Sequence, residues 1–568
     1  FEDLPSGTYT INIKTDGYQA LEVQEQVNAN EATEAVYRLS AEGAVEVVIR
    51  GKRPPREVTK RTLEQREISR IPGTNGDALK SIQNLPGVAR PPGLAGLLIV
   101  RGSAPNDTEV YIDNTLVPLV YHFGGLSSVV PTELLEKIDF YPGNFSSQFG
   151  RVAGGVVDVG LRSPRNDGRY HGMAQLDLID GRLMLEGPIP YAKGWTFAAA
   201  MRRSWVDLWL KPVLTSAGSS VTAAPVYYDY QVMVENKPNE RSRFRVSFIG
   251  SDDRLEILTR EASEEDATFS GNIKLRTGFK RLMVDYRNDL TDKLSLKTVT
   301  SYGTDTLEFG VGSLFFVLNN HPLANKTELS LKLGQGMTFH SGVDIYTSTY
   351  DVNIRAPQPP RPGEPDPGPY ASRPPLQLKT SGNTYRPGAY AELELTPHKR
   401  VKIVPGFRVD YAKETEAFDL SPRVNARYSV REDFPRSTLK AGYGVYHAPP
   451  QYQQTMPPYG TPGLRSNRAI HYSVGFEQEL TSRIELSVEG FYKELDRLVT
   501  QVVDNSGTQG YNNMGAGSVI GTEFLLKYRP DSRFFGWVAY TLSRSVRRDS
   551  PKEAEYLFRY DQTHILTM

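Results

Sequence analysis

The residues that could perform chemistry are scattered along this chain of 568 residues. Its eight histidines, at positions 122, 171, 321, 340, 398, 447, 471 and 564, lack the paired spacing of metal ligands. The chain contains no cysteine, which excludes disulfides, thiolate zinc sites, iron–sulfur clusters and cysteine nucleophiles. The sequence therefore predicts no metal site and no bound cofactor.

Two glycine or lysine motifs resemble nucleotide-binding loops but depart from them at required positions. Lys80-Ser81 could end a phosphate loop, but Leu79 stands where glycine is needed. The segment from Gly515 to Gly521 has one residue too many for a dinucleotide fingerprint, and no βαβ pattern follows it. We predict no catalytic residues and no enzymatic activity.

Charge and composition favour a β protein without a nucleic-acid partner. Lys plus Arg and Asp plus Glu number 66 each, so no net charge draws the chain to nucleic acid. The 31 tyrosines, 49 glycines and 39 prolines are typical of strands joined by many turns. No window approaches the run of about 18 apolar residues that a spanning helix needs.

The N-terminal residues 1–42 contain short strand patterns at Thr8–Ile13, Leu21–Val27 and Ala35–Leu39, with a turn at Asp16–Tyr18. This phrase resembles the end of a carboxypeptidase regulatory-like β-sandwich domain. The chain starts without a signal-peptide pattern and stops as a new strand begins. We expect it to be the middle of a longer precursor, with the signal peptide and final strands outside it.

Residues 43–57, GAVEVVIRGKRPPRE, pass from a β-rich run into a basic linker. Pro54-Pro55 favours an extended backbone without hydrogen-bond donors. An extended strand beside such a linker could pair with the sheet edge of another protein. The alternative is that it forms the last strand of the preceding sandwich, and the sequence leaves both open.

Residues 58–163 predict a small mixed α/β body. The apolar run Leu97–Val100 and the alternating run Val110–Asp113 flank a turn segment and predict a hairpin. Ile138–Tyr141 is predicted to pair with the glycine-rich segment Gly150–Gly160.

Two short helices are expected in the same body. Asp77 is a good N-cap for the first, which Pro86-Gly87 ends, and Thr132 and Glu133 begin the second. Two loops, 89–93 and 120–125, have the unusual sequences ARPPG and VYHFGG.

From Tyr170 onward, alternation with a period of two dominates the chain. In Arg483–Glu489, Ile484, Leu486 and Val488 share one face, and the other carries charges. About 17 such runs occur, many as long as the 9–11 residues of a tilted membrane strand or longer. A soluble sandwich would have shorter strands, and a propeller would repeat about every 40 residues. The pattern predicts a transmembrane antiparallel β-barrel over residues 164–568.

The predicted connections alternate in length. Leu480-Thr481-Ser482 is a tight turn, whereas His447–Arg468 and the proline-rich Ala356–Pro375 are long. In membrane barrels short turns face the periplasm and long loops face outside.

These pieces together resemble one known family. Residues 45–568 resemble TonB-dependent outer-membrane receptors of Gram-negative bacteria, in which a plug domain occludes a 22-stranded barrel, of which roughly 17–18 strands would be present here. The matching phrases are EVVIRG (46–51), DALKSIQNLPGV (77–88), IVRGSAPNDTEVYIDN (99–114), ELLEKIDFYPGNFSSQFGRVAGGVVDV (133–159), SPRVNARYSV (421–430) and FFGWVAYTLSRS (534–545).

The resemblance implies roles for matching residues. Glu46, Val47, Val48, Ile49, Arg50 and Gly51 align with the TonB box, which pairs with the TonB C-terminal domain in the periplasm. Arg101 and Gly102 match the RG hairpin entry of the plug, and Gly150, Gly154 and Gly155 match its closing segment, where small residues fit close to the wall. These five residues would be structural.

The resemblance also implies where a ligand rests. The loops at 89–95 and 119–125 correspond to plug apices, so Arg90, Tyr121, His122 and Phe123 are ligand-contact candidates, with plain packing against the barrel as the alternative. The implied partners are TonB with its inner-membrane energising complex, outer-membrane lipid and an unidentified extracellular ligand.

Two functional hypotheses follow. One is an energised importer of a metal chelate, cofactor, peptide or oligosaccharide. The other is a barrel of the same family adapted to protein export, surface display, adhesion or motility.

Overall fold

The structure is a computed structural model that describes residues 7–13, 21–27, 35–37, 47–49, 56–64, 71, 74, 77, 79–89, 98–125, 127–218, 221–259, 271–356, 375–457, 460–503, 509–529 and 534–568. These residues form two N-terminal strand pairs, a small mixed sheet with a two-stranded companion, and one large antiparallel sheet.

The N-terminal part has strands where the sequence predicts them. β1 (Gly7–Ile13) pairs antiparallel with β2 (Leu21–Val27). β3 (Ala35–Tyr37) pairs antiparallel with β4 (Val47–Ile49). The predicted turn at 16–18 lies outside the described residues. Assignment of 1–42 to a β-sandwich domain stays a prediction.

Residues 56–162 form the body that we call the plug. Its described strands are β5 (Arg61–Glu64), β6 (Val88–Ala89), β7 (Ile99–Val100), β8 (Thr108–Ile112), β9 (Thr115–Leu116), β10 (Leu135–Tyr141) and β11 (Gly155–Leu161). Five of them form a sheet in the order β5-β10-β11-β8-β9, and β6 pairs with β7. Single 3₁₀ turns at Leu79–Asn84, Pro105–Asp107, Phe123–Gly125 and Thr132–Leu134 connect the strands.

Several predictions for the plug are confirmed. β10 pairs antiparallel with the glycine-rich β11, with Tyr141 opposite Val156. The carboxylate of Asp77 accepts hydrogen bonds from the backbone N–H groups of Leu79 and Lys80, both at 3.1 Å, so it caps the helix as expected. That helix and the one at Thr132 are 3₁₀ turns, since each is too short to make a regular α-helix.

The predicted hairpin between Leu97–Val100 and Val110–Asp113 is wrong. β7 pairs with β6, whereas β8 pairs in parallel with β11 and antiparallel with β9. The cause is the backbone between the two runs, because Arg101 and Gly102 have φ angles of 47° and 61° and the 3₁₀ turn Pro105–Asp107 follows them. This left-handed corner sends the two strands into different sheets.

The large sheet has 19 strands in sequential order, β12 to β30, all antiparallel. The strands are β12 (His171–Leu176), β13 (Asp180–Pro188), β14 (Trp195–Ser204), β15 (Val221–Asn239), β16 (Ser242–Thr259), β17 (Gly271–Asp289), β18 (Leu294–Val311), β19 (Leu314–Gly334), β20 (Met337–Ala356), β21 (Leu376–His398), β22 (Val401–Ala412), β23 (Ala417–Arg431), β24 (Ser437–Ala448), β25 (Asn467–Glu479), β26 (Ile484–Val503), β27 (Gln509–Tyr528), β28 (Gly536–Arg548), β29 (Tyr556–Leu557) and β30 (His564–Thr567). Two short helices lie in its connections, α1 (Val206–Ser216) and α2 (Tyr452–Thr455).

The large sheet curves around the plug, and the apolar face of the sheet points outward. On β25, Tyr472 and Val474 are 41% and 65% exposed, whereas the alternate residues His471 and Ser473 are buried. This arrangement inverts that of a soluble sheet, and it is the one that a lipid-facing barrel wall requires. The predicted fold class, a β-barrel occluded by a plug, is confirmed.

The connections differ in length at the two ends of the barrel. At one end, turns such as 240–241, 335–336 and 480–483 join long strands directly. At the other end, longer connections such as 357–375 and 449–466 join them. We call these the short-turn end and the long-loop end. In the described parts of the chain, the helices are all too short or too polar to cross a membrane.

The fit of the plug against the wall can be tested at Gly150. A Cβ at this position would overlap the guanidinium of Arg408 on β22. We expect Gly150→Ala to lower the free energy that holds the plug in the barrel by about 1–3 kcal/mol, because overpacking a close-packed site costs about that much. The measurement is the urea concentration at which trypsin cuts the plug while the barrel stays folded.

The matched control is Gly160→Ala in the same plug sheet. Its nearest neighbour would be Lys137 Cγ at 3.5 Å, an ordinary contact. Equal urea midpoints for the two variants would contradict the close fit at Gly150.

Candidate functional site: the interface between plug and barrel wall

The interface between the plug and the barrel wall contains apolar packing and buried charge. Met233, Ile249, Phe279 and Met283 of β15–β17 join the apolar core of the plug. Elsewhere cationic side chains of the plug, arginines and a histidine, meet carboxylates of the wall, and three such clusters define the site. Buried charges are tolerated only when paired and hydrogen-bonded, so each cluster fixes the plug in one position.

The first cluster, which we call the arginine lock, lies near the short-turn end. The Arg101 side chain is 1% exposed, and its Nε and Nη2 donate to both carboxylate oxygens of Glu523, at 2.8 and 2.9 Å. Its Nη2 also donates to Glu489 at 2.7 Å. Arg61 of β5 donates to Glu523 at 2.5 Å, and Thr59 donates to Glu489. Two plug cations thus face two wall carboxylates on β26 and β27, and Lys440 of β24 adds a wall cation 3.8 Å from Glu489.

The second cluster lies at mid-depth and holds the plug turn 143–151. Arg151 donates to Asp344 at 2.7 Å. Arg408 bridges Asp344 and Asp410, at 2.8 and 2.6 Å, and donates to the backbone carbonyl oxygens of Ser147 and Gln148. The turn is therefore bound through its backbone as well as through Arg151.

The third cluster lies toward the long-loop end and holds the plug loop 119–125. His122 is buried between Asp253, which contacts its Nδ1 at 2.7 Å, and Asp229, which contacts its Nε2 at 2.9 Å. The imidazole stacks on Tyr227 with ring centroids 3.9 Å apart. Burial alone would lower the pKa of His122, but the two carboxylates outweigh it and raise the pKa to about 9. The ring is thus an imidazolium at neutral pH.

Three of the four ligand-contact candidates are described in the structure, and all three contact other parts of the protein. Tyr121 is buried and donates to the backbone carbonyl of Leu79 at 2.6 Å, and His122 is bound as above. The backbone N–H of Phe123 donates to Asp253 at 3.2 Å, and its side chain is half-buried. These contacts match the packing alternative, so contact with a ligand stays a prediction. Arg90 lies outside the described residues.

The TonB-box residues are only partly described. Glu46, Arg50 and Gly51 lie outside the described residues, whereas Val47–Ile49 form β4 and pair with β3. This pairing matches the alternative of a strand belonging to the N-terminal module. Assignment of 46–51 as the box stays a prediction.

The plug glycines occupy two kinds of environment. Gly102, with φ of 61°, lies against the wall, where a Cβ would be 2.8 Å from Ser545 Cβ, and Gly150 lies against Arg408. Gly154 and Gly155 instead lie against the plug itself, where an added Cβ would be 2.6 Å from the Asp107 carbonyl oxygen and 2.9 Å from Val100 Cγ1, respectively. The closing segment is therefore packed onto its own body as well as the wall.

Sequence reasoning missed the wall half of every cluster. Glu489, Glu523, Asp229, Asp253 and Asp344 are inward-facing carboxylates that a water-filled lumen would also explain. Their plug partners are more than 100 residues away in sequence, so no local pattern marks them. In the described residues, groups of three or more His, Asp or Glu side chains arranged to hold a metal ion are absent.

The arginine lock can be tested by removing its central cation. Arg101→Gln leaves Glu489 and Glu523 buried with only part of their counter-charge. We therefore expect the free energy that holds the plug in the barrel to fall by about 3–5 kcal/mol. The measurement is again the urea midpoint for tryptic cleavage of the plug.

Arg241→Gln is the matched control, because Arg241 and Asp292 form an exposed pair, 58% and 84% accessible. Such surface pairs contribute about 0–1 kcal/mol. Restoration of the midpoint in the double variant Arg101→Met, Glu489→Gln, which keeps the pair of Arg61 with Glu523, would agree with the lock. An unchanged midpoint in Arg101→Gln would contradict it.

The His122 cluster predicts a pH dependence. Because the folded-state pKa of about 9 lies above the ordinary value of 6.5, the stabilisation is fully present below pH 6.5 and is lost as the pH rises through about 9. We expect the urea midpoint of the parent chain to fall toward that of His122→Asn between pH 6.5 and 10. A constant difference between the two chains would contradict this.

Comparison with known proteins agrees with this geometry. A family model described as "TonB dependent receptor-like, beta-barrel" matches residues 220–563, and one described as "TonB-dependent Receptor Plug Domain" matches residues 54–157. No curated protein sequence matches the chain.

Solved structures share the fold. The ferric enterobactin receptor PfeA of Pseudomonas aeruginosa, in complex with enterobactin, is 15% identical with a TM-score of 0.65, over 87% of this chain and 84% of that one. The siderophore receptor PirA of Pseudomonas aeruginosa is 16% identical with a TM-score of 0.62, over 87% of each chain. The outer-membrane transporter YddB of Escherichia coli is 12% identical with a TM-score of 0.67, over 90% of this chain and 83% of that one.

The barrel model alone covers more than half of the chain, and the plug model matches the body that the three charged clusters hold in the lumen. This chain therefore belongs to the TonB-dependent receptor family.

Proposed function

We propose that this receptor imports a scarce ligand across the outer membrane, with a metal chelate as the first class to test. The solved relatives described as ferric enterobactin and siderophore receptors favour that class. TonB and its inner-membrane energising complex would act on Glu46–Gly51 in the periplasm. The adaptation to export, display, adhesion or motility gains no specific observation in its favour.

The observation that carries this proposal is the position of residues 56–61. They directly follow the predicted TonB box and its linker, and they take part in the arginine lock through Thr59 and Arg61. Arg427 of β23 also donates to the backbone carbonyl of Val58 at 2.9 Å. A pull on the preceding segment would therefore load the lock before any other part of the plug.

The sheet order makes this segment removable. Among the described residues, β5 is an edge strand that pairs only with β10, over Arg61 to Glu64. Its loss would break one short ladder and leave the other four strands of the plug sheet paired. Because each backbone hydrogen bond contributes about 1 kcal/mol net, such a strand can be detached without unfolding the whole plug.

Detachment of β5 would then weaken the lock by charge. Arg61 would leave Glu523, so that Arg101 would be the one plug cation of the lock still facing the two buried carboxylates. An unbalanced buried carboxylate is costly, which would favour movement of the plug away from the wall. The pull would thus be converted into an electrostatic imbalance at the plug–wall interface.

Deletion of Glu46–Gly51 tests the energised importer. We expect cells carrying the deletion to bind an iron-55-labelled ferric catecholate chelate at the surface but to stop accumulating it. The matched control deletes six residues from the proline-rich connection at 357–362, which leaves the segment before the plug intact. Unchanged accumulation after the first deletion would contradict the proposal.

A disulfide across β5 and β10 tests the detachment step. Thr62 and Asp139 are direct antiparallel partners, and the chain has no other cysteine, so Thr62→Cys with Asp139→Cys can form a single staple. We expect oxidised cells to lose uptake and to regain it after dithiothreitol, with each single variant active throughout. Full uptake by the oxidised double variant would show that β5 stays in place during transport.

A further inference from the structure

The plug is attached to the wall unevenly around its circumference. Strands β25–β28 hold it through many direct hydrogen bonds, including Ser473 to Asn144 at 2.9 Å, Lys493 to Ser103 at 2.9 Å and the Gly87 N–H to Thr541 at 2.9 Å. On β18 and β19, the described contacts are sparser, with Glu328 accepting from Arg56 at 3.5 Å. The β18–β19 side is thus the weaker part of the interface.

Two neighbouring cavities lie on this weaker side. The larger, of about 1830 Å³, opens at the short-turn end between plug residues such as Glu133 and wall residues such as Arg243 and Ser330. The smaller lies deeper, between Gln148 and Phe149 of the plug and the wall. Lys297 and Glu328 line both cavities, so the two adjoin.

The deeper cavity is closed to large molecules. It holds about 20 Å³ of space for water, which is room for a single water or small ion. The larger cavity exceeds the 300–1000 Å³ typical of small-molecule sites. The pair therefore has the form of a chamber with a constriction at its inner end.

The constriction contains a cationic side chain whose hydrogen-bond donors are unused in the described part of the chain. Its carboxylates are already engaged, since Asp344 pairs with Arg151 and Arg408, and Glu328 accepts from Tyr390 at 2.7 Å. The Nζ of Lys326 is buried and makes no hydrogen bond among the described residues.

The neighbours of Lys326 leave its donors unused. Its Nζ lies 3.6 Å from the ring centroid of Tyr111 and 5.6 Å from that of Phe149. The ring faces attract the charge but cannot accept its three N–H donors as an anion would.

We propose that Lys326 and Lys297 form a site for anionic oxygen groups, and that the passage for the ligand opens between the plug and β18–β19 along them. In the resting protein the site takes a small anion only. This inference rests on the proposed import function for its transport step, although the anion site itself does not. When the plug moves, it separates where its contacts are fewest, and carboxylate or phenolate groups of a chelate follow the lysines into the larger cavity.

Bromide tests the site without any transport assay. In crystals of the full chain soaked in sodium bromide, we expect an anomalous peak within 4 Å of Lys326 Nζ, about the contact distance of an ammonium and a halide. The peak should vanish in Lys326→Gln and persist in Lys402→Gln, which removes a wall lysine that is paired with Glu394 at 2.9 Å. An absent peak, or one that persists in Lys326→Gln, would overturn the site.

Uptake then tests the passage. For an anionic ferric catecholate chelate, we expect Lys326→Gln to lower the initial uptake rate roughly tenfold, as loss of electrostatic focusing does, with surface binding unchanged. Lys402→Gln should import at the parent rate. Parent-like uptake by Lys326→Gln would overturn the passage while import stands. An inactive parent chain would instead contradict the import function, and the bromide result would still decide the anion site.

Discussion

The structure depends on opposite charges that meet, out of water, across the boundary between two bodies. Arg61 and Arg101 of the plug face Glu489 and Glu523 of the wall, and His122 faces Asp229 and Asp253 near the other end. A purely apolar seam would resist separation but would tolerate sliding. Buried ion pairs instead fix one position, because every displacement leaves a charge without its partner.

This kind of contact suits a plug that closes the lumen of the barrel and that moves in the proposed import. The apolar contacts of Met233, Phe279 and Met283 keep water out on one side, whereas the charged clusters decide the seat of the plug. Because the pairs are noncovalent and the plug sheet begins with an edge strand, the seat can be lost and regained without rebuilding the fold. The same edge strand carries Arg61, so the mechanical and electrostatic steps of the proposed release share one segment.

Much of the architecture could be predicted because it depends on local patterns. The alternation that puts Val474 outside and Ser473 inside is visible in the sequence, as are the cap at Asp77 and the pairing of β10 with β11. The prediction of a hairpin was wrong because the left-handed backbone at Arg101 redirects the chain. Residues other than glycine rarely adopt that conformation, so the sequence does not indicate it. The wall carboxylates could not be predicted as partners of the plug for another reason. A lumen-facing glutamate has the same sequence pattern whether it contacts water or an arginine.

The backbone conformation at Arg101 and Arg151 affects how the plug presents these two side chains to the wall. Arg101 and Arg151 hold φ angles of 47° and 63°, in a region that costs an L residue roughly 1–2 kcal/mol. The ion pairs of these residues with the wall are thus made by a backbone under tension. The Arg101 corner is held by hydrogen bonds within the plug, from the Arg101 N–H to the Gly87 carbonyl at 2.7 Å and from the Ser103 N–H to the Val100 carbonyl at 3.0 Å. The plug therefore carries the strain of this corner through its own fold, and it presents the Arg101 guanidinium in a fixed position to the wall.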